Sequence, residues 1–493
     1  MLERKGEPFD LNKTFLKVLI FTVLTIVIFL LSNLCVYGLN TQSFIIISIG
    51  FIGLISYLFW RKAILFLVIW IMVSGAFRKW FFPEIEDVIY LFGHAIVAGA
   101  YIRYFQDRLA TRTPIFEPHP INIFFLILFI WGIACVFNPI MGNIFVGILG
   151  LVVYFYFIPL SYIFSYMVLS KEQLIKLLKI FVIISVPLLI LAIVQFYMPY
   201  YHPINTYVRE TQYNIALAGG RPRVTSTFSF ISGFAVYLSL LILICIYLLS
   251  VKGNSIQFTI FTSVNLVLAA LSILMTGSRG PATYCLLESI FYFFIAGILN
   301  MKLLIRLLPS IIIVILFTIG IFKFTTFGFT IFDAFNTRAS SSEDIIPRLM
   351  HTYTDPFQFF KKVGVYGVGI GDTFQGAVAF GHDPLKSMQI TGGYEEEQGR
   401  IVVEIGFVGY VLMFLVRILV VKYFWDLFKK LKDEQLKNLA LICIMFLLPF
   451  SFGLTNLIFD ITSNTLYWYV IGFLFLLPKL DKQIAKARER SES

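Results

Sequence analysis

Arginine recurs in this chain where apolar sequence breaks off. Gly277-Ser278-Arg279-Gly280-Pro281 separates two apolar runs, Arg221 and Arg223 stand in a polar segment at 199–227, and Arg348 stands in a longer one at 325–400. A guanidinium is a permanently charged planar fork that grips phosphate oxygens two at a time. The glycines around Arg279 let the backbone turn sharply, and the N-terminus of the helix that follows favours an anion. The chemistry these residues suit is phosphate recognition, or stabilisation of a phosphate leaving group. Plainer readings stand beside it: an arginine snorkelling to a membrane surface, and for Arg348 a loop ion pair with Glu343 or Asp344.

Proton transfer would need a base. Glu395-Glu396-Glu397-Gln398-Gly399-Arg400 offers Glu395 and Glu397 as carboxylates, with Glu397 one turn from Arg400 if the segment is helical. A solvated acidic turn at a helix N-terminus is the other reading. His382 is a third candidate base, and His351 lies in the same segment. Glu288 and Arg417 fall inside apolar runs, where charges normally pair or line a cavity, so the two are expected to pair with each other. His94 reads as a packed polar residue. Cys35, Cys135, Cys245, Cys285 and Cys443 all lie within apolar runs without metal-ligand spacing, so they read as small buried residues, with no metal and no cofactor implied.

The elements that must position these residues are membrane helices. The 493 residues are 59% hydrophobic and 14% charged, far from the usage of a soluble domain. Apolar runs long enough to span occur at 15–37, 43–59, 63–81, 87–104, 121–137, 143–168, 174–198, 228–250, 257–276, 282–299, 303–324, 401–421, 438–457 and 463–478. The expected fold is all-α: one polytopic membrane domain over 1–493 with about fourteen transmembrane helices. Residues 15–37 read as the first of these and not as a cleavable leader.

Placing the N-terminus in the cytoplasm puts most of the basic clusters there too, among them Arg61-Lys62, Lys171/Lys176/Lys179, Lys429-Lys430-Lys432 and the tail from Lys482 to Arg490. The C-terminus then returns to the cytoplasm. Segments 199–227 and 325–400 face the opposite side, the second as a long loop with a short helix expected over 343–362. The +11 net charge is spread through these short clusters, which suits an anionic leaflet and argues against nucleic acid.

Three further stretches carry a resemblance. Residues 363–374 read Val-Gly-Val-Tyr-Gly-Val-Gly-Ile-Gly-Asp-Thr-Phe, with loop glycines Gly367, Gly369 and Gly371, and Arg348 precedes them. Val403-Glu404-Ile405-Gly406-Phe407-Val408-Gly409 opens the next span, with Glu404, Gly406 and Gly409 as a helix-start motif. Upstream, Arg223-Val224-Thr225-Ser226-Thr227-Phe228 leads into another. Together with the arginine turn, and in this order, they resemble the O-antigen ligase and polymerase superfamily over roughly residues 220–425.

The resemblance implies a metal-independent glycosyltransferase of the bacterial inner membrane. It would move a glycan from an undecaprenyl-diphosphate carrier to a sugar hydroxyl at the periplasmic face, with the long loop capping the site. Arg279 and Arg348 correspond to that family's diphosphate-contacting arginines, and Arg223 and Arg221 are additions to them. A flippase and a chain-length regulator are the partners implied. The ligases carry a histidine shortly before the acidic residue of the helix-start motif, and here that position is Glu395. This departure favours polymerisation of repeat units, with ligation to lipid A core or another acceptor as the alternative. A lipid-linked oligosaccharide flippase is the alternative from another class, although no internal repeat is visible. A polyprenyl-sugar glycosyltransferase of another kind would want carboxylates in the first outer loop, and Gly38–Gln42 has none.

Overall fold

The computed structural model describes residues 41–208, 215–299, 301–340, 345–384 and 397–492. The expected span 15–37, together with Cys35, Glu343, Asp344, Glu395 and Glu396, lies outside them. The described chain is an all-α, multi-pass membrane protein. Among the described residues, eleven helices are long and apolar enough to cross a bilayer, and two apolar helices are shorter.

The first half runs α1 (Thr41–Leu58), α2 (Trp60–Ala76, prolonged by a wider turn to Phe81), α3 (Glu86–Ala110), α4 (Ile121–Val136), α5 (Ile144–Phe155), α6 (Ile158–Met167) and α7 (Lys171–Tyr197). A two-stranded hairpin follows, β1 (Leu217–Ala218) and β2 (Arg221–Pro222). Then come α8 (Ile231–Ser250), α9 (Ile256–Met275), α10 (Arg279–Leu299), α11 (Met301–Phe324), α12 (Thr326–Ser340) and α13 (Ile345–Val363). The chain closes with α14 (Glu397–Lys430), α15 (Glu434–Ser451) and α16 (Ile461–Glu492).

Every expected span on described residues falls on helix, with three differences at places the backbone explains. The run 143–168 divides into α5 and α6, because Pro159 in the first turn of α6 lacks the amide a continuous helix would use. The run 438–457 stops being helical at Ser451, where Gly453 follows in a left-handed conformation. The helix through 401–421 is interrupted at Gly406. The short helix expected over 343–362 is α13, and α12 adds a second helix within 325–400.

The bilayer sorts the helices by burial. α8 is apolar all round and buried along nearly its whole length, so it is the hub against which α7, α9, α15 and α16 pack. α11 shows the reverse: Ile305, Leu308, Ile312, Ile313, Leu316 and Phe317 are exposed, a surface that only hydrocarbon solvates.

The two ends of the bundle are built differently. At the tail end, ion pairs knit the connections together. Lys171 Nζ donates to both oxygens of Asp433 at 2.8 Å, with Arg488 at 3.7 Å from the same carboxylate. Asp433 also caps α15 through the amides of Gln435 and Leu436. Lys479 Nζ reaches Glu117 at 2.5 Å, and the Tyr166 hydroxyl donates to that same carboxylate. Burial alone pushes both carboxyls up; at Glu117 the bonds from Lys479 and Tyr166, and at Asp433 those from Lys171 and the cap amides, more than reverse it. Both end below the ordinary carboxylate range. The other end, reached by the outgoing ends of α2 and α7, holds the hairpin, the arginine turn, the loop before α14 and the connection between α15 and α16.

Candidate active site

The arginine turn forms where α9 ends and α10 begins. Gly277 takes φ +62, a conformation costly for any residue with a Cβ, and its amide bonds back to Leu274 O at 2.9 Å. Arg279 is then the first residue of α10. The hairpin segment lies directly over this turn. Val224 N–H bonds Met275 O, Arg223 Nε donates to Thr276 O at 2.9 Å, and Arg223 Nη2 donates to Ser278 Oγ at 2.6 Å. A Cβ at Gly277 would sit 3.1 Å from Arg223 Cγ, so the glycine is also what lets Arg223 approach. Two sequence-distant motifs thus make one structure, with Arg223 as the fastener.

Arg221 sits two residues earlier, its guanidinium over the Tyr197 ring at 5.5 Å and the Phe196 ring at 6.0 Å at the end of α7. Arg348 lies in the first turn of α13; the loop pairing with Glu343 or Asp344 falls outside the described residues.

Downstream of Arg223 the chain is held hard. Ser226 adopts φ +50, which a non-glycine residue rarely accepts. Gln195 of α7 accepts from the amides of Thr225 and Ser226 and donates to Ser226 O at 3.1 Å. From α2, Lys79 Nζ donates to Thr225 Oγ1 at 2.9 Å and to Ser226 O at 2.6 Å. Arg78 donates to Ser229 Oγ at 3.0 Å, and the Thr227 hydroxyl donates to Met72 O. Sequence reasoning passed over Arg78-Lys79 because they end an apolar run; a lysine–arginine pair at the end of a span, facing the same side as three loop arginines, was the available signal.

The glycine-rich loop makes a second cluster around α14. Gly406 has φ +68 and ψ −178, a region essentially reserved for glycine, and the helix breaks there. The break frees backbone carbonyls, and the loop caps them: Val368 N–H takes Val403 O at 2.8 Å and Gly369 N–H takes Glu404 O at 3.1 Å. Trp131 Nε1 takes Ile405 O at 2.9 Å. Gly367 presents its carbonyl to Asn138 of the α4–α5 connection, and Gly371 lies against Gly150 of α5. Gly409 is buried just beyond the break.

Glu404 is fully buried and gathers the loop, accepting from Gly371 N at 3.1 Å, Thr373 N at 2.9 Å and Thr373 Oγ1 at 2.5 Å. Arg400 completes the set, with Nε on Thr373 Oγ1 at 3.1 Å, Nη2 on Thr373 O at 2.9 Å, and its guanidinium 3.5 Å above the Phe459 ring.

Two expected pairings are corrected here. Arg417 pairs with Glu397 at 3.2 Å, and Glu288 instead accepts from Ser239 Oγ at 2.8 Å. The reversal at Gly406 is the reason. Residues 20 apart on a straight helix stand about 30 Å apart, and the break folds 397–405 back alongside the rest of α14. Glu397 likewise does not partner Arg400. Its oxygens accept from Arg417, from Ile458 N at 2.7 Å and from Leu457 N at 3.0 Å. Both oxygens are engaged, Oε1 in a buried ion pair and Oε2 by a backbone amide, which makes Glu397 a poor base. His94 is packed, as expected, among Tyr90, Tyr156 and Phe157.

His382 is differently placed. Its Nε2 lies 2.7 Å from Oδ1 of the buried Asp372, on the loop that Glu404 and Arg400 fasten, and its ring is partly exposed. An imidazole oriented by a buried carboxylate is the geometry a general base requires.

The connection 452–460 links the clusters. Its Leu457 and Ile458 amides bind Glu397, Phe459 lies under Arg400, and Asp460 caps α16 while abutting Gly233 at the start of α8. The expected span 438–457 hid this segment; Gly453 and Asp460, a helix stop and a helix start, were its sequence signals.

An apolar cavity of about 170 Å³ lies deeper in the bundle, with Leu65, Met72, Ile184, Leu240, Leu466 and Tyr469 in its lining. Met72 therefore touches both the cavity and, through its carbonyl, the Thr225–Thr227 segment. Among the described residues no three His, Cys, Asp or Glu side chains gather as metal ligands; Cys135, Cys245, Cys285 and Cys443 are buried and free. No family model matches this chain, and no curated protein matches it.

Proposed function

We propose that this protein is a polymerase of a bacterial cell-surface polysaccharide, transferring glycan from undecaprenyl diphosphate to a sugar hydroxyl of another repeat unit at the periplasmic face of the inner membrane. The observation that carries the reading is Arg223 bound across the Thr276–Ser278 turn, immediately before Arg279 opens the next helix. In the reaction the acceptor oxygen attacks the anomeric carbon of the carrier-linked glycan. The bond from that carbon to the phosphate oxygen breaks, and its electron pair leaves on the diphosphate. Guanidinium groups of Arg279, Arg223, Arg221 and Arg348 stabilise the charge as it develops.

The hydroxyl proton passes to His382, whose ring Asp372 orients. Of the other two candidate bases, Glu397 is consumed by its ion pair and backbone contacts, and Glu395 lies outside the described residues. The apolar cavity below Met72 suits one end of the carrier and the basic surface the other.

The test is the glycan profile of a deletion strain with its lipid-linked intermediates. Single repeat units accumulating on the carrier, with long chains lost, is the expected result. Long chains retained on the carrier and missing only from a final acceptor would make the protein a ligase. An unchanged set of carrier-linked glycans would overturn both.

A further inference from the structure

Lys79 is a buried basic residue that the arginine motifs do not include. It stands near the end of α2, 6% exposed, with Nζ on two neutral oxygens, Thr225 Oγ1 and Ser226 O, and 4.6 Å from the Trp80 ring. An ammonium has three donors and is strongly hydrated in water, so burial on two neutral acceptors leaves its charge uncompensated. Charges held at that depth are costly unless something of opposite sign balances them. Two further basic residues are close in the chain: Arg78, the preceding residue, which donates to Glu86 O at 3.1 Å and Ser229 Oγ at 3.0 Å, and Arg223, two residues before Thr225 on the same strand of chain. Two residues of extended chain span at most about 7 Å.

The local backbone points the same way. Ser226 is held in a left-handed conformation by Lys79, by Gln195 and by its own hydroxyl on Leu188 O at 2.8 Å. Such strain persists only where the surroundings over-determine it, and it concentrates at ligand sites. Here it directs the Thr225–Ser226 turn toward α2 while Arg223, just upstream, reaches the arginine turn.

We infer that the end of α2 is a third element of an anion site: Lys79 supplies charge and fixes the Thr225–Ser226 turn, so that with Arg223 and Arg279 it takes a diphosphate. This rests on the diphosphate reading above and extends it to a residue outside those motifs. Lys79 acts through the 225–226 turn and through its field, which makes it a positioning residue. The diphosphate belongs either to a lipid carrier or to a soluble molecule; the apolar cavity that shares Met72 with this segment favours the lipid.

The experiment titrates the purified full-length protein in detergent with inorganic pyrophosphate and, separately, with undecaprenyl diphosphate. Wild type, Lys79→Gln and Lys79→Arg are compared, each with its melting temperature and at two salt concentrations. Lys79→Gln is expected to bind pyrophosphate at least about tenfold more weakly with a shallower salt dependence, and Lys79→Arg to recover most of it. Tighter binding of the lipid than of pyrophosphate identifies the carrier as the source, and equal binding identifies a soluble diphosphate. Should Lys79→Gln fail to fold, Lys79→Arg and Thr225→Val carry the test, with the first retaining affinity and the second losing part of it. Wild-type affinity in Lys79→Gln overturns the inference and leaves the diphosphate reading intact. No binding of either ligand by the wild type overturns both.

Discussion

The tail end of the bundle and the surroundings of the arginine turn spend their charges in opposite ways. At the tail end, Lys171 and Arg488 meet Asp433, and Lys479 meets Glu117, so cations are answered by carboxylates. Beside the arginine turn, Lys79 Nζ is answered by a hydroxyl and a carbonyl and Arg223 helps to bind the turn through Thr276 O and Ser278 Oγ, whereas farther along the same end Arg417 meets Glu397. The first arrangement is complete in itself and holds helices together. The second concentrates positive charge on a braced backbone, which suits an anion brought from outside. The comparison teaches that charge count alone does not mark a site; what marks it is the kind of atom that answers the charge.

The largest effect is expected at Arg279 of the arginine turn and at Arg348 of α13. Arg279→Ala and Arg348→Ala should each lower glycan transfer by at least about a hundredfold, with membrane abundance unchanged. Replacement by lysine should recover little, since an ammonium cannot make the bidentate contact. A transfer assay with immunoblotting of membranes decides it, and full activity in both alanine variants would sink the site assignment.

Next in size is the His382–Asp372 pair. His382→Gln should cost about 10²–10⁴ in turnover with little change in the concentration of carrier needed for half-maximal rate. Asp372→Asn should show the same pattern with a smaller loss, because it leaves the imidazole in place and removes only its orienting partner. A loss expressed wholly in carrier affinity would move the pair out of the chemistry.

The smallest effect belongs to the tail end and sharpens the contrast. Asp433→Asn keeps an N-cap for α15 but loses the charge that Lys171 meets. Transfer should be unchanged, and the melting curve should show a loss of about 1–3 kcal/mol. The pH sign follows from the depressed carboxyls. Asp433 and Glu117 titrate lower in the folded protein than in the unfolded chain, so their stabilisation is complete above the ordinary carboxylate range. It is lost as pH falls through the depressed values, below about pH 4. Wild-type melting should drop there more steeply than that of Asp433→Asn, and parallel pH profiles would remove the ion pair from the account.

Much of the fold was legible because a bilayer imposes length. A run that must cross hydrocarbon with every backbone group satisfied has little choice but helix, and the expected spans on described residues fall on helices for that reason. Their boundaries were less legible where a break occurs inside apolar sequence. Gly406 reverses α14 and Gly453 ends α15 within runs that hydropathy alone reads as continuous. Of the candidate site, Arg279, Arg223 and the loop glycines were visible from residue type and spacing. Glu397 was misread because an acidic run looks solvated until its partners, Arg417 and the 457–458 amides, are brought to it.

The sequence by itself therefore determined the class of molecule: apolar length made membrane helices, and glycine and arginine in polar breaks marked where the helices are interrupted. Only the tertiary structure decided which charges meet. It paired Arg417 with Glu397 and not with Glu288, put Lys79 against Thr225 and Ser226, and set His382 on Asp372. The physical reason is range. Helix formation in a membrane is settled by groups within four residues of each other, whereas these contacts join segments from 10 to about 150 residues apart and exist only once the helices have packed.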